Sequence, residues 1–343
     1  VKPFGHYHLL WRPAIIILVL GVLLLVAQRR HVSVDSGTRP VMGTLARIVA
    51  VAGSSADAYS GIKAAWEAIE SVELLMSDYD PDSQLSQVNQ RAFLEPVAVE
   101  ESLFEVLSAA VDYSKLSNGA FDVTVGPVVY LYRQSRQTGQ APSPEALENA
   151  RKAVGRQHLL LDPENRTVRF AVEGMRLDLG GIAKGYAIDQ AIKALQDAHV
   201  RGGMVDIGGD IRCFGPAAHG APHWKIGLQD PRIEDKITLT LNMDDRAVAT
   251  SGDYRRFVVL NGDRVSHIID PGTARSAQSL SSVSVIAPTA MQADALATAV
   301  SVLDAKEGLK LIDSIENTEA FLIYEGEFLQ SPGMDQFILD LRR

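Results

Sequence analysis

Leu177-Asp178-Leu179-Gly180-Gly181-Ile182-Ala183-Lys184-Gly185-Tyr186 reads as a short strand, a glycine turn and the start of a helix. A strand that breaks on two glycines and runs straight into a helix is a natural place for a ligand. Glycine lets a backbone come close to a bound group. The first turn of a helix offers unpaired N–H groups and a partial positive charge to an anion. Lys184 adds a mobile cation. Two familiar phosphate motifs do not fit. The P-loop needs Ser or Thr after its Lys, and the dinucleotide fingerprint needs G-x-G-x-x-G, whereas the glycines here fall at 180, 181 and 185. Two readings stay open on this stretch alone: a phosphate-bearing ligand, or close packing of a turn against a neighbour.

Outward from that turn the hydrophobic periods predict mixed helix and strand. Ile62, Trp66, Ile69 and Val72 recur at helical spacing over 57–76, and Leu103, Val106, Leu107, Ala110 and Val111 do so over 101–117, where Asn118-Gly119 stops the helix. Thr44–Val51, 158–161, 166–172 and Ser282–Ala287 read as strands. Arg255–Leu260 and Arg264–Ile269 flank Asn261-Gly262, a hairpin signal. Helices are expected at 182–197 and 290–303, and 134–150 reads as a polar, Pro-bearing exposed insertion. Helices and strands do not alternate regularly, so the expected class is α+β, with mixed or antiparallel sheets and packed helices. The expected organisation is an N-terminal segment over 1–30, a linker over 31–40 and one catalytic-sized domain over 41–343.

Composition narrows the partners. The chain of 343 residues carries a formal net charge of −9, which argues against a nucleic-acid backbone as the main partner. One small phosphate ligand needs only local positive potential and stays open. Cys213 is the single cysteine, so no disulfide forms within the chain, and the residue reads as a small buried apolar group. Residues 14–27, AIIILVLGVLLLVA, carry no charge and are flanked by Lys2 and Arg12 before and Arg29 and Arg30 after. With Leu9, Leu10 and Trp11 the run approaches the length that spans a bilayer. A secretory signal peptide competes with an uncleaved anchor. No small-x-small cleavage site stands out after it and no Cys lies near it for lipid attachment, so an anchor is expected, with the chain beyond about residue 35 outside the cytoplasm.

Several side chains are candidates for chemistry. Asp294 and Thr298 lie four apart on an expected helix and share a face. A carboxylate and a hydroxyl are hard oxygen ligands that suit Mg²⁺, although a solvated polar face would look the same. His267 precedes the Asp270-Pro271-Gly272 turn and reads either as a base or as a satisfied strand histidine. Tyr79, in the polar turn Ser77–Ser83, could stack on a flat ring.

Taken together and in order, these motifs carry more than any one of them. Met42-Gly43-Thr44 is followed by Met76-Ser77-Asp78-Tyr79-Asp80-Pro81-Asp82-Ser83 with Asn89, Gly119-Ala120-Phe121-Asp122, the Asp178–Tyr186 turn, and Asp206-Ile-Gly-Gly-Asp210. Ala249-Thr250-Ser251-Gly252, His267-Ile-Ile-Asp-Pro271 and Asp294-Ala-Leu-Ala-Thr298 complete the series. The series closely resembles the ApbE family of FAD:protein FMN transferases over about 41–330. The resemblance implies Mg²⁺-dependent cleavage of the FAD pyrophosphate, transfer of FMN to a Thr or Ser hydroxyl of a target redox protein, and release of AMP. It implies FAD contacts at Met42, Tyr79, Ala120, Phe121, Asp122, Gly180, Lys184, Tyr186 and Ile268. It implies Mg²⁺ held by the Ala183 carbonyl, Asp294 and Thr298, with His267 and Asp294 catalytic. Family targets are membrane redox subunits, so the expected location is the bacterial inner membrane, through one span, with the domain on the periplasmic side. Two alternatives keep the same site: a Mg²⁺-dependent FAD pyrophosphatase, and a non-catalytic FAD-binding protein.

Overall fold

The computed structural model describes residues 31–218, 221–233, 235–252, 257–260, 263–266, 268–277 and 280–341. The expected membrane segment over 1–30 and His267 lie outside the described residues. Among the described residues no helix is long and apolar enough to cross a membrane.

The chain opens with β1 (Val32–Val41), β2 (Thr44–Ala52), helix α1 (Ser55–Met76), α2 (Gln84–Arg91), β3 (Val97–Ala98) and α3 (Glu101–Leu116). Then come α4 (Gly126–Thr138), α5 (Pro144–Lys152), β4 (Leu159–Asp162), β5 (Thr167–Phe170) and α6 (Ala183–Asp197). A β-rich stretch follows: β6 (Gly202–Ile207), β7 (Asp210–Phe214), β8 (Trp224–Gln229), β9 (Ile237–Met243), β10 (Arg246–Gly252), β11 (Phe257–Leu260), β12 (Asp263–Ser266), β13 (Ile269–Asp270), β14 (Arg275–Ser276) and β15 (Ser282–Ala287). The chain closes with α7 (Ala290–Val302), α8 (Ala305–Asp313), β16 (Glu319–Tyr324), β17 (Glu327–Gln330) and β18 (Ile338–Leu341).

Eight strands form one antiparallel sheet in the order β1-β2-β6-β7-β10-β15-β16-β17. Period-two alternation buries both of its faces. Ile48, Ala50, Ala247, Ala249, Val283 and Val285 point into the larger core beneath α1, α6 and α7. Val49, Val51, Cys213, Val248, Ile286 and Phe321 point the other way, onto the three-stranded sheet β18-β9-β8. Helices, sheet and small sheet thus stack as three layers, and the expected α+β class with antiparallel sheets is what the chain adopts.

Two expectations need correction. Residues 31–40 are not a linker: Val32–Val41 is the edge strand of the large sheet, paired along β2. Its polar stretch 35–40 faces solvent, which hides the strand from a hydrophobicity pattern. The expected insertion over 134–150 is helical as well, divided between the end of α4 and α5. Pro127 in the first turn of α4 and the left-handed Gly139 after its last residue frame the first of these helices.

Candidate functional site

The Asp178–Tyr186 turn is held at its start by backbone-directed side chains. Asn89 on α2 pairs with Leu177 as a strand would, accepting from its N–H at 2.7 Å and donating to its carbonyl at 3.1 Å. Asp178 accepts the Gly180 N–H at 2.8 Å, closing the turn. Two glycines then admit helix α7. A Cβ on Gly181 would lie 2.8 Å from the Thr298 hydroxyl oxygen, and one on Gly185 would lie 2.3 Å from the Ala290 carbonyl oxygen. Close packing therefore accounts for these two glycines without any ligand.

Helix α7 is clamped in register against α6. Asp189 accepts the N–H groups of Ala290 and Met291 at 2.8 and 2.9 Å, satisfying the first turn of α7, and its charge is met by Arg212 at 2.5 Å. Thr289 caps the same helix through its hydroxyl. One turn further on, Asp294 lands over the start of α6. It is 3% exposed, so it belongs to a buried site and not to a solvated helix face.

Asp294 meets Lys184 there. The Lys184 ammonium lies 3.1 Å from each Asp294 carboxylate oxygen and also bonds Asp210. The Gly185 N–H donates to Asp294 at 3.1 Å, and the Thr250 N–H donates to Asp210 at 3.0 Å. Burial pushes the Asp294 carboxyl up to about 6 against the pull of Lys184, and Asp210 adds to the rise. Burial opposes the charge on Lys184, but the two carboxylates outweigh it and raise its pKa. Among the described residues the Thr298 hydroxyl has no hydrogen-bond partner. An unpaired hydroxyl, a buried carboxylate and the nearby Ala183 backbone make a set of hard oxygen donors, with a lysine ammonium standing where a cation is wanted. That chemistry fits Mg²⁺. No three His, Cys, Asp or Glu side chains converge on one point among the described residues.

These groups line a cavity of about 810 Å³, within the ~300–1,000 Å³ usual for small-molecule sites. Met42, Tyr79, Ala120, Phe121 and Asp122 line the same cavity, as do Gly180, Ala183, Ile268 and Thr298. Met42 sits at the tip of the β1–β2 hairpin with φ +50°, beside Gly43 at +66°, the pair of positive angles that a tight two-residue hairpin turn requires. The Met42 N–H donates to Glu73 at 2.6 Å, fixing the tip at the mouth. Tyr79 is 76% exposed, with the Arg133 guanidinium 4.4 Å from its ring centre. Asp122 is committed within the wall: one oxygen accepts from the Thr124 N–H and hydroxyl, the other from the Arg156 N–H. The Ile268 N–H donates to Ser266, and its carbonyl accepts from Ala277.

Tyr186 is placed elsewhere. It turns into the core, its hydroxyl donates to Glu105 at 2.8 Å, and it does not line the cavity. Burial and Glu105 raise the phenol pKa and keep it protonated. The fold instead brings in residues that the sequence did not single out. Arg133 on α4 bonds Asp78 and, at 2.7 Å, Asp178, tying the Tyr79 turn to the glycine turn. Asp210 stands in the motif series but shows no sequence signal of its partnership with Lys184. For Arg133 the Pro127 and Gly139 frame of its helix was a usable sign.

The ApbE family model matches residues 42–322. A Haemophilus influenzae protein named FAD:protein FMN transferase is 34% identical over 321 residues, spanning 90% of this chain and 91% of its own. A Treponema pallidum protein of the same name is 32% identical over 329 residues, spanning 92% and 91%. Among solved structures, an ApbE protein from Thermotoga maritima superposes with a TM-score of 0.81 at 33% identity, covering 91% of this chain and 100% of that one. The flavin transferase ApbE from Vibrio cholerae does so at 0.79 and 31%, covering 90% and 100%. The sequence series, the fold and these relatives agree, and the chain belongs to the ApbE family.

Proposed function

We propose that this protein is an FAD:protein FMN transferase: it cleaves FAD at the pyrophosphate and moves FMN to a Thr or Ser hydroxyl of a partner redox protein. The observation that carries this is that Met42, Tyr79, Phe121, Lys184, Asp294 and Thr298, drawn from separate motifs, all line one cavity. The names of the relatives point the same way. The acceptor oxygen forms a bond to the FMN phosphorus as the bond from that phosphorus to the bridging oxygen breaks. AMP leaves with the electron pair, and the acceptor proton passes to a base. His267 is the proposed base from its place in the His267-Ile-Ile-Asp-Pro271 motif, where an imidazole can take a proton near neutral pH. The Ala183 carbonyl, Asp294 and Thr298 would hold Mg²⁺, which when bound neutralises charge on pyrophosphate oxygens. The open face of the Tyr79 ring would carry a flat ring of FAD, with Arg133 behind it.

Residues 14–27 would tether the domain to the bacterial inner membrane, on its periplasmic side. Recovery of the full-length chain in the cytoplasmic fraction would count against that placement. The activity is tested by incubating a candidate redox subunit with the protein, FAD and Mg²⁺ and weighing the subunit. Addition of one FMN as a phosphoester on Thr or Ser is expected. Release of FMN and AMP with no adduct on any acceptor would make the protein a pyrophosphatase instead.

A further inference from the structure

Two buried carboxylates, Asp210 and Asp294, share a single ammonium. They are 4% and 3% exposed, and Lys184 bonds both. The two halves of this cluster are held differently. Asp210 opens strand β7 and is fixed by the Thr250 N–H of β10, so its position belongs to the large sheet. Asp294 sits on α7 one turn before Thr298, whose hydroxyl has no hydrogen-bond partner among the described residues. Lys184 at the start of α6 is placed between them and grips both oxygens of Asp294 at equal distance.

A divalent cation on Asp294 needs the lone pairs that Lys184 now holds. Two cations on the same carboxylate oxygens repel strongly in a buried site. Lys184 must then let go of Asp294, and a buried ammonium released without a partner is unfavourable. Asp210 removes that difficulty, because it already bonds the same nitrogen. A small rotation of the lysine end exchanges a shared ammonium for one held by Asp210 alone.

We infer that Lys184 is a built-in counter-cation that holds Asp294 in the metal-free protein, and that Asp210 is the positioning residue that receives it when a divalent cation takes Asp294. The inference rests on the proposed Mg²⁺ site. Asp210 here acts through Lys184 and not on the metal.

The test is direct Mg²⁺ binding by titration calorimetry on the whole chain without FAD. Asp294→Asn checks the site itself: loss of binding is expected, and wild-type binding would sink the metal site whatever Lys184 does. Lys184→Met removes the competitor and is expected to tighten Mg²⁺ binding by about tenfold or more, the scale of one displaced charge–charge contact. Asp210→Asn keeps the Thr250 bond, leaves Lys184 on Asp294 and is expected to weaken binding by about tenfold. The decisive comparison is the double variant. With Lys184 absent, Asp210→Asn should shift affinity less than about twofold, because Asp210 has nothing left to receive. An undiminished effect of Asp210→Asn in the Lys184→Met background would overturn the inference, since Asp210 would then act on the metal directly. Failure of Lys184→Met to tighten binding would overturn it as well. If Lys184→Met does not fold, Lys184→Gln removes the charge and keeps a hydrogen-bonding end. Asp210→Asn alone also decides against the inference if Mg²⁺ affinity is unchanged.

Discussion

Alanine at Gly185 and alanine at Gly181 should fail in opposite ways, although the two positions lie in one turn. At Gly185 the new Cβ would meet backbone: the Ala290 carbonyl oxygen at 2.3 Å and the Met291 Cα at 2.6 Å. Ordinary contact begins near 3.4 Å, so the first turn of α7 would have to retreat by about 1.1 Å, the difference between 3.4 and 2.3. That same turn is fastened by two N–H bonds to Asp189 at 2.8 and 2.9 Å. Overpacking costs about 1–3 kcal/mol, and straining bonds to a charged acceptor adds roughly another 1–2 kcal/mol. Alanine in place of glycine inside a helix returns about 1 kcal/mol. A net loss of roughly 3 kcal/mol follows, a fall in Tm of roughly 5 °C for a domain of this size.

At Gly181 the new Cβ meets only side-chain atoms of Thr298, nearest the hydroxyl oxygen at 2.8 Å. Threonine on a helix has two accessible χ1 wells, so it can rotate away for about 1 kcal/mol or less. The fold survives, but the hydroxyl leaves the proposed Mg²⁺ position. Differential scanning calorimetry and Mg²⁺ titration separate the two outcomes. Gly181→Ala should keep its Tm within about 2 °C and lose roughly 10–100-fold in Mg²⁺ affinity, as misoriented metal ligands do. Wild-type Mg²⁺ affinity and FMN transfer in Gly181→Ala would refute the assignment of Thr298. An unchanged Tm in Gly185→Ala would refute the packing account of the turn.

Other perturbations separate the parts of the site. Asp294→Ala should remove the Mg²⁺ dependence of FMN transfer, and a rate that still rises with Mg²⁺ would take Asp294 out of the metal site. His267→Ala, assayed with FAD and Mg²⁺ saturating, should lower the transfer rate by about 10²-fold or more if His267 is the base; an undiminished rate excludes it. Arg133→Met should raise the KM for FAD by about tenfold with a smaller change in kcat, because Arg133 backs Tyr79 and fixes Asp178 away from the reacting bond; an equal fall in kcat would place Arg133 in the chemical step. Far from the site, burial pushes the Asp230 carboxyl up, but the Arg232 N–H, Arg232 and Lys236 together hold it at about 2, below the usual 3.8. Its folded pKa is depressed, so its stabilisation of about 2 kcal/mol is present above pH 3.8 and lost as pH falls toward 2. Denaturant unfolding of Asp230→Asn should show that deficit at pH 7 and a shrinking one toward pH 3, and a pH-independent deficit would contradict the sign.

The elements legible in the sequence were those with a strong internal period. Helix α1 buries residues at helical intervals, strand β15 is a run rich in β-branched residues and buried along its whole length, and the i, i+4 pair of Asp294 and Thr298 follows from helix geometry alone. Strand β1 is not legible in the sequence because an edge strand with a solvent-facing stretch shows little hydrophobic alternation, and its pairing with β2 is a tertiary fact. The motif places Tyr186 beside a ligand, yet the buried run Ala183, Ala187 and Ile188 on α6 puts it among core residues. Asp210 and Arg133 could not be placed by spacing, since their partners lie 26 residues away at Lys184 and 45 residues away at Asp178.

The cluster of Asp210, Lys184 and Asp294 is a poor device for stability. Burying a carboxylate pair with one ammonium leaves net negative charge in a place that an apolar set of similar volume would fill at least as well. The position of the Asp294 carboxyl at about 6 shows the same discomfort from the side of the titrating group. A fold keeps such a cluster where something else bound in the native state relieves it, and a cation that binds only the folded chain stabilises it by mass action. The glycines at 181 and 185 then acquire a joint purpose. They let α7 approach so closely that Asp294 and Thr298 reach the start of α6, where Lys184 waits and Asp210 stands behind it. The turn that reads as a phosphate loop is thus a packing joint, and the proposed grip on the pyrophosphate comes through the charge that the joint concentrates.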